Sequence, residues 1–241
     1  MRAEEAFDRC RDNVAVVRER IAEACRRSGR APADVRLIAV TKYVDAAAAR
    51  AVVAAGCRDL AESRPQELWA KATALADLAP PVRWHLVGHL QRNKVRRTLE
   101  VNPLLHTLDS LRLLETIDAE ATRADRTCAA LVEVNLAADP GRTGATETDA
   151  AGIVRAAVER HPHVRLLGLM GMASVPEGPD AAGQARRQFA RLRELRDRLR
   201  AENPACGLDE LSMGMSGDFV EAILEGATMV RIGSALFAGC E

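Results

Sequence analysis

The chain has 241 residues, and its 34 basic and 34 acidic side chains give a formal net charge of zero. This balance does not favour nucleic acid or an anionic membrane as the main partner, and an aromatic content of 3% argues against a base-stacking surface. No apolar run approaches the roughly 18 residues of a membrane span, and the first eight residues are charged rather than signal-like. We therefore expect a cytoplasmic monomer that binds small molecules.

Size and cysteine content point to one ordinary globular domain. With 48% hydrophobic residues the chain can bury a full core, so a single domain over residues 1–241 is expected. The six cysteines are scattered without a C-x-x-C pair, which indicates neither a zinc site nor a disulfide framework.

Strand-like and helical patterns alternate along the whole chain. An amphipathic helix is predicted over residues 3–27, before the first strand, and Ser28-Gly29 ends it. Buried strands are predicted at residues 35–42, 57–62, 82–87, 105–108, 129–135, 164–170, 208–212 and 228–232. Helices are predicted between them at residues 46–55, 66–78, 93–100, 111–124, 148–160, 180–202 and 219–224.

Eight alternating strands and helices in a chain of this length predict a closed parallel (β/α)₈ TIM barrel with an extra N-terminal helix. An open doubly wound sheet is the alternative. Barrel active sites lie at the carboxyl ends of the strands, so polar residues there are the candidates for function.

Lys42 ends the first strand, and a lysine at this position has two interpretations. It is either a solvated surface residue or an amine in the barrel mouth, where desolvation lowers its pKa and lets it attack a carbonyl. Residues in the neighbouring loops distinguish the two interpretations.

The loops after the seventh and eighth strands predict a phosphate site. Gly214, Ser216 and Gly217 lie in the first loop and Gly233 and Ser234 in the second. In this fold such loops present backbone N–H groups at helix starts. The alternative is that these glycines only permit tight turns. The eighth strand of a closed barrel pairs with the first, so a phosphate held there would lie beside the strand of Lys42.

A phosphorylated aldehyde would satisfy this arrangement, and pyridoxal 5'-phosphate is such a ligand. Arg231 alternates with Val230 and Ile232 and is predicted to point into the barrel. Beside the pyridine nitrogen it would leave the ring neutral and a weak electron sink. Alternatively, Arg231 binds a phosphate or a carboxylate. A metal shared by His85 and His89 is not expected, because the pair spans a strand end.

The sequence resembles the pyridoxal phosphate homeostasis proteins, also called proline synthetase co-transcribed homologues, which are similar to the barrel domain of alanine racemase standing alone. The matching motifs are AVTK at residues 39–42, WHLVGHLQRNK at 84–94, GLM at 168–170, LSMGMSGDF at 211–219 and MVRIGSALF at 229–237.

The resemblance implies specific roles for these residues. Lys42 would form a Schiff base with pyridoxal phosphate, Ser216, Gly233 and Ser234 would hold the phosphate, and Arg231 would lie near the ring. Met215 and Ser63 complete the cofactor-binding residues. Two positions depart from the family pattern: Ala61-Glu62-Ser63 stands where Gly-Glu-Asn is common, and Asp139 and Arg142 stand where an acidic residue and a lysine are usual.

Three functions remain open at this stage. The first is a non-catalytic protein that buffers pyridoxal phosphate or delivers it to apo-enzymes. The second is a racemase-like enzyme, which needs a second base, whereas the single tyrosine, Tyr43, directly follows Lys42. The third is an aldolase-type enzyme acting on phospho-sugars, for which only Glu62 and Asp218 offer carboxylates at the strand ends.

Overall fold

The computed structural model describes residues 3–137, 141–174, 178 and 180–240. Its strands form a closed parallel barrel in sequence order, and β8 pairs with β1. This confirms the predicted barrel and excludes the open sheet. The strands are β1 (Arg36–Val40), β2 (Asp59–Glu62), β3 (Arg83–Leu86), β4 (Leu104–Leu108), β5 (Cys128–Val134), β6 (Val164–Gly171), β7 (Glu210–Ser212) and β8 (Met229–Ile232).

Helices surround the barrel, and several begin at caps that the sequence supplies. Asp45 accepts from the N–H of Ala48 at 2.9 Å, and Thr146 accepts from that of Asp149 at 3.1 Å. The helices are α1 (Ala3–Arg27), α2 (Ala46–Ala54), α3 (Pro65–Ala74), α4 (Val95–Val101), α5 (Leu111–Arg123), α6 (Glu147–Arg160), α7 (Ala181–Glu202), α8 (Phe219–Leu224) and α9 (Ser234–Phe237).

The largest differences from the predicted helices lie at α3 and α9. The third helix is predicted to reach residue 78, but α3 ends at Ala74, and Arg50 of α2 binds the free carbonyl of Ala74 and pairs with Asp77 just beyond it. The four-residue α9 was not predicted at all. In the described part of the chain, no helix is both long and apolar enough to cross a membrane.

The N-terminal helix supports the end of the barrel where the last two loops lie. It packs against α2, α8 and α9. Arg20 of α1 stacks 4.6 Å from the ring centroid of Phe219, and Asn13 donates to the carbonyl of Leu236 at 3.1 Å. Helix α1 therefore holds the two short helices that follow the predicted phosphate loops.

The apolar core lies mainly between the barrel and its helices. A smaller apolar cluster fills part of the barrel interior and consists of Ile38, Ala61, Leu131, Met170 and Met229. Buried polar residues occupy much of the remaining interior, among them Asp59, His85, His106, Ser212 and Arg231. A polar barrel interior is unusual, because branched aliphatic residues normally fill it.

Candidate functional site

Barrel closure brings the loop after β8 against the end of β1. Gly233 directly follows β8, and a Cβ atom on it would lie 3.3 Å from the carbonyl oxygen of Val40. Lys42 is two residues beyond Val40. The structure therefore places Lys42 beside the predicted phosphate loops.

The protein alone does not bury the amine of Lys42. The side chain is exposed, and its Nζ lies 4.7 Å from the ring centroid of Tyr43, which is itself 85% exposed. The described residues therefore do not form the desolvated environment that was one interpretation of this lysine.

The backbone next to Lys42 is anchored from the opposite side of the barrel wall. Lys71 of α3 donates to the carbonyl of Thr41 at 2.7 Å and to Glu62 Oε1 at 2.5 Å. The hydroxyl of Thr41 also donates to Glu62 Oε1, at 2.6 Å. Ala61 faces the barrel interior, so Glu62 faces α3 and is not available in the mouth as a catalytic carboxylate.

The loop after β7 is a tight turn closed by Asp218. The N–H of Met215 donates to Asp218 Oδ1 at 2.6 Å, and the N–H of Asp218 donates to the carbonyl of Met215 at 3.1 Å. Gly214 begins the turn at φ +93°, and a Cβ there would lie 2.6 Å from that of Ala222. This position requires glycine, whereas a Cβ on Gly217 would meet nothing within 4 Å.

The two predicted phosphate loops contact each other and leave backbone donors free. Ser216 Oγ accepts from the N–H of Ala235 at 3.4 Å. Within the described residues, the N–H groups of Ser216, Gly217, Gly233 and Ser234 find no acceptor. Helices α8 and α9 have only six and four residues, so these donors, rather than a helix dipole, would hold an anion.

Arg231 points into the barrel, as its alternation with Val230 and Ile232 predicted, and it is 4% exposed. It donates to Ser212 Oγ at 2.7 Å and to the carbonyl of Gly171 at 3.1 Å. Burial lowers its pKa to about 10, and Asp218 and Glu133 act to raise it, so the guanidinium stays cationic at neutral pH.

Glu133 is a buried carboxyl that is not among the residues predicted from the sequence. It lies on β5, accepts from the hydroxyl of Thr143 at 2.7 Å and is 3% exposed. Burial raises its pKa, and the charge of Asp109 adds to that effect, while Thr143 and Arg231 oppose it. Its alternation with Leu131, an interior residue, could have revealed its direction.

The other predicted residues lie in several different loops. Ser63 lines a cavity of about 470 Å³ with His89, Gln91 and Lys94 of the loop after β3. Met215 lies in the turn after β7 and is 38% exposed. Arg142 donates to the carbonyl of Ala173 at 3.4 Å, and Asp139 lies outside the described residues.

Two of the histidines belong to a buried hydrogen-bond network in the barrel interior. His85 and His89 do not form a pair, because His85 lies in the barrel interior bonded to His106 and Asp59. His89 is exposed, with its Nδ1 3.6 Å from Asp109 Oδ2. Polar residues at interior positions of several strands were the signal for this network.

The arrangement fits a small ligand with a phosphate and an aldehyde. Backbone N–H groups that find no acceptor among the described residues suit the phosphate, and Lys42, which carries a primary amine, follows β1 across the seam from β8. Arg231 provides a fixed cation in the barrel below. Glycine at the tight turn and donors without acceptors are what such a ligand needs.

Comparison with known proteins agrees with this geometry. Residues 8–240 match the family model described as alanine racemase, N-terminal domain. The chain is 40% identical over 226 residues to the pyridoxal phosphate homeostasis protein of Pseudomonas aeruginosa, covering 94% of each chain. The chain belongs to the pyridoxal phosphate homeostasis family. The relative of the same name from Aquifex aeolicus is 37% identical, over 94% of this chain and 96% of that one.

Solved structures extend the similarity to three dimensions. PipY of Synechococcus elongatus, solved with PLP bound, is 37% identical, with a TM-score of 0.80 over 92% of this chain and all of PipY. An unknown protein from Bifidobacterium adolescentis reaches a TM-score of 0.88 at 33% identity, covering 98% and 97% of the two chains. Alanine racemase from Bacillus anthracis, 17% identical with a TM-score of 0.72, shares the fold over 95% of this chain and 55% of its own.

Proposed function

We propose that this member of the pyridoxal phosphate homeostasis family binds pyridoxal 5'-phosphate reversibly and buffers it or delivers it to apo-enzymes. The observation that carries the proposal is the group of free backbone donors beside Lys42, where the loops after β7 and β8 meet the end of β1. The PLP-bound structure of PipY, at 37% identity, supports the same ligand.

Each residue of the group has a role in this proposal. The backbone N–H groups at Ser216, Gly233 and Ser234 bind the phosphate, and Met215 borders the ligand from the same loop. Bound pyridoxal phosphate would supply an aldehyde, able to condense with a primary amine with loss of water, and a ring able to delocalise electrons. Lys42 provides the amine.

Arg231 favours binding over catalysis. Beside the ring nitrogen its guanidinium could only donate a hydrogen bond and could not pair with a protonated nitrogen as a carboxylate does, so the ring would be a weak electron sink. Racemisation also needs a base on each face of the substrate carbon. The single tyrosine of the sequence, Tyr43, follows Lys42 directly, and the curated relatives cited above carry homeostasis names.

A visible absorption spectrum of protein mixed with pyridoxal phosphate tests the binding. A new absorption band, lost in Lys42→Ala and retained in Lys94→Ala, is the expected result. Borohydride reduction followed by peptide mapping should place the label on Lys42. Absence of the band in the wild type would overturn the proposal, and labelling at Lys71 or Lys94 would overturn the assignment of Lys42.

Delivery is tested by mixing the loaded protein with an apo-transaminase and following recovery of transaminase activity. Amino-acid turnover by the loaded protein is measured beside it, with Lys42→Ala as the blank. Turnover at about 1 per second or faster would establish an enzyme. The monomeric state and cytoplasmic location remain predictions, to be checked by sedimentation and by cell fractionation.

A further inference from the structure

A chain of side-chain hydrogen bonds crosses the barrel interior from Arg231 to Asp59. Arg231 Nη1 lies 2.7 Å from Ser212 Oγ, which lies 2.9 Å from His106 Nδ1. His106 Nε2 lies 3.0 Å from His85 Nδ1, and His85 Nε2 lies 3.1 Å from Asp59 Oδ1. All five residues are at most 4% exposed, so bulk water does not compete for these contacts.

The two ends of the chain have fixed hydrogen-bonding roles. Arg231 is a cation and can only donate. Burial acts to raise the pKa of Asp59, but hydrogen bonds from Arg83 and His85 more than offset it and bring the pKa to about 2. The carboxylate is therefore ionised at neutral pH and can only accept.

These ends leave a single arrangement of hydrogens in between. Ser212 accepts from Arg231 and gives its one hydroxyl hydrogen to His106 Nδ1. His106 then carries its hydrogen on Nε2 and donates to His85 Nδ1, and His85 donates from Nε2 to Asp59. Burial lowers the pKa of both histidines, which agrees with two neutral rings.

We propose that His106, His85 and Asp59 are positioning residues that fix the orientation of Arg231 below the barrel mouth. The inference rests on the proposed function, in which the oriented guanidinium would lie near the ring of pyridoxal phosphate. A serine hydroxyl can rotate unless its hydrogen is engaged. His106 engages it, so Ser212 always presents a lone pair to Arg231.

The Asp59 end of this hydrogen-bond series lies at the other end of the barrel, where β2 and β3 begin. Asp59 begins β2 and Arg83 begins β3, and Arg83 Nε donates to Asp59 Oδ1 at 2.9 Å. The side chain of Arg83 is 67% exposed. The network therefore spans the barrel from its floor to Arg231, and a change at the floor should reach the ligand through it.

Nuclear magnetic resonance of the ligand-free protein tests the donor and acceptor roles in this series of hydrogen bonds without any cofactor. With ¹⁵N-labelled protein at neutral pH, both His85 and His106 should appear as neutral rings protonated at Nε2. The Arg231 side-chain N–H signals should be sharp and should broaden in Ser212→Ala. A ring protonated at Nδ1, an imidazolium, or an Arg231 signal that Ser212→Ala leaves unchanged would overturn the inference, whatever the protein does with pyridoxal phosphate.

Binding of pyridoxal phosphate gives the second readout. Ser212→Ala and His106→Phe should each raise the dissociation constant about 10-fold or more, as for a lost hydrogen bond to a charged group, and should shift the visible absorption band. Ser212→Thr keeps a hydroxyl and should keep the dissociation constant and the absorption band of the wild type. Equal affinity and an equal spectrum in Ser212→Ala and wild type would overturn the inference.

Thr107→Val is the matched control. Thr107 is next to His106 on β4 and donates to the carbonyl of Gly88 at 2.8 Å, so the variant also loses one side-chain hydrogen bond but leaves Arg231 untouched. It should bind as wild type does. An effect equal to that of Ser212→Ala would assign the loss to general destabilisation and overturn the positioning role. If His106→Phe does not fold, Ser212→Ala, which removes one oxygen atom, carries the test.

Discussion

Lys71 Nζ lies 2.5 Å from Glu62 Oε1 beneath α3, and the same ammonium donates to the carbonyl of Thr41, the residue before Lys42. Both members of the ion pair are buried, and Glu62 Oε2 finds no hydrogen-bond partner among the described residues. A buried ion pair is a poor source of stability, because desolvating two charges offsets most of their attraction. Its value here is geometric, since it fixes the backbone that presents Lys42.

Lys71→Met should destabilise the protein by about 3–5 kcal/mol, because Glu62 is left as a buried and unpaired charge. It should also slow the labelling of Lys42 by pyridoxal phosphate and borohydride. Denaturant unfolding and peptide mapping measure the two effects. Adding Glu62→Gln should recover most of the lost stability but not the labelling rate. Lys94→Met, at a half-buried lysine without an ion pair among the described residues, is the control and should change neither.

Gly214 and Gly217 lie in the same loop and should respond differently to a methyl group. Gly214→Ala forces an L-residue into a positive φ and into Ala222, and it should cost about 2 kcal/mol or more. Gly217→Ala meets open space at an ordinary φ and should leave the free energy of unfolding within about 1 kcal/mol of wild type. Equal unfolding midpoints for the two variants would contradict the turn geometry.

The phosphate site is tested by charge at Ser234. Ser234→Asp places a carboxylate next to the expected dianion and should weaken pyridoxal phosphate binding by about 1–4 kcal/mol, the lower value applying if solvent screens the exposed site. Pyridoxal, which lacks the phosphate, should lose much less affinity. Ser234→Asn is the neutral control. Titration of both ligands against both variants decides the matter, and equal weakening of the two ligands would show that these loops are ordinary turns.

The hydrophobic pattern within single elements was enough to predict the barrel, as two of these elements show. Helix α1 matches the predicted residues 3–27, because apolar residues recur at helical spacing before Ser28-Gly29, namely at Phe7, Val14, Val17, Ile21 and Ala24. The prediction that Arg231 points inward was also correct, since it needed only the period of two within one strand. Closure then brought the loop after β8 to the end of β1.

The polar interior could not be predicted from the same patterns. Contact between His106 and Ser212 joins residues 106 positions apart, and it depends on the stagger of the strands around the closed barrel. Glu62 was considered as a carboxylate in the barrel mouth. It directly follows the interior residue Ala61, however, so its side chain points outward to Lys71. Strand ends predict where a site lies, whereas the direction of each side chain depends on registers that sequence alone does not set.

Asp59 should govern the acid limb of stability. Its pKa in the folded protein, about 2, lies below the usual value of 3.8, so its stabilising effect is complete above about pH 4 and is lost as the pH falls towards 2. Asp59→Asn should therefore be about 2 kcal/mol less stable than wild type at pH 7 and should unfold with a flatter acid limb. Chemical denaturation from pH 7 down to pH 3 measures the difference. Parallel acid limbs for the two proteins would contradict the assignment.

Glu133 should have the opposite effect, because burial raises its pKa in the folded protein. Below the pKa that this carboxyl has in the unfolded chain, it is protonated in both states and does not change the free energy of unfolding. As the pH rises above that pKa, the unfolded state loses its proton first, so the folded protein becomes less stable. Glu133→Gln keeps an oxygen that accepts from Thr143 and removes the titration. The variant should thus be more stable than wild type at pH 7, and the gap should narrow as the pH falls towards 4. Unfolding free energies measured in urea at both pH values test this. Glu147→Gln, at a half-buried carboxylate paired with Arg191 and Arg198, is the control and should lose rather than gain stability at pH 7. A Glu133→Gln variant that is less stable than wild type at pH 7 would show that the charge of this carboxylate is needed beside Arg231.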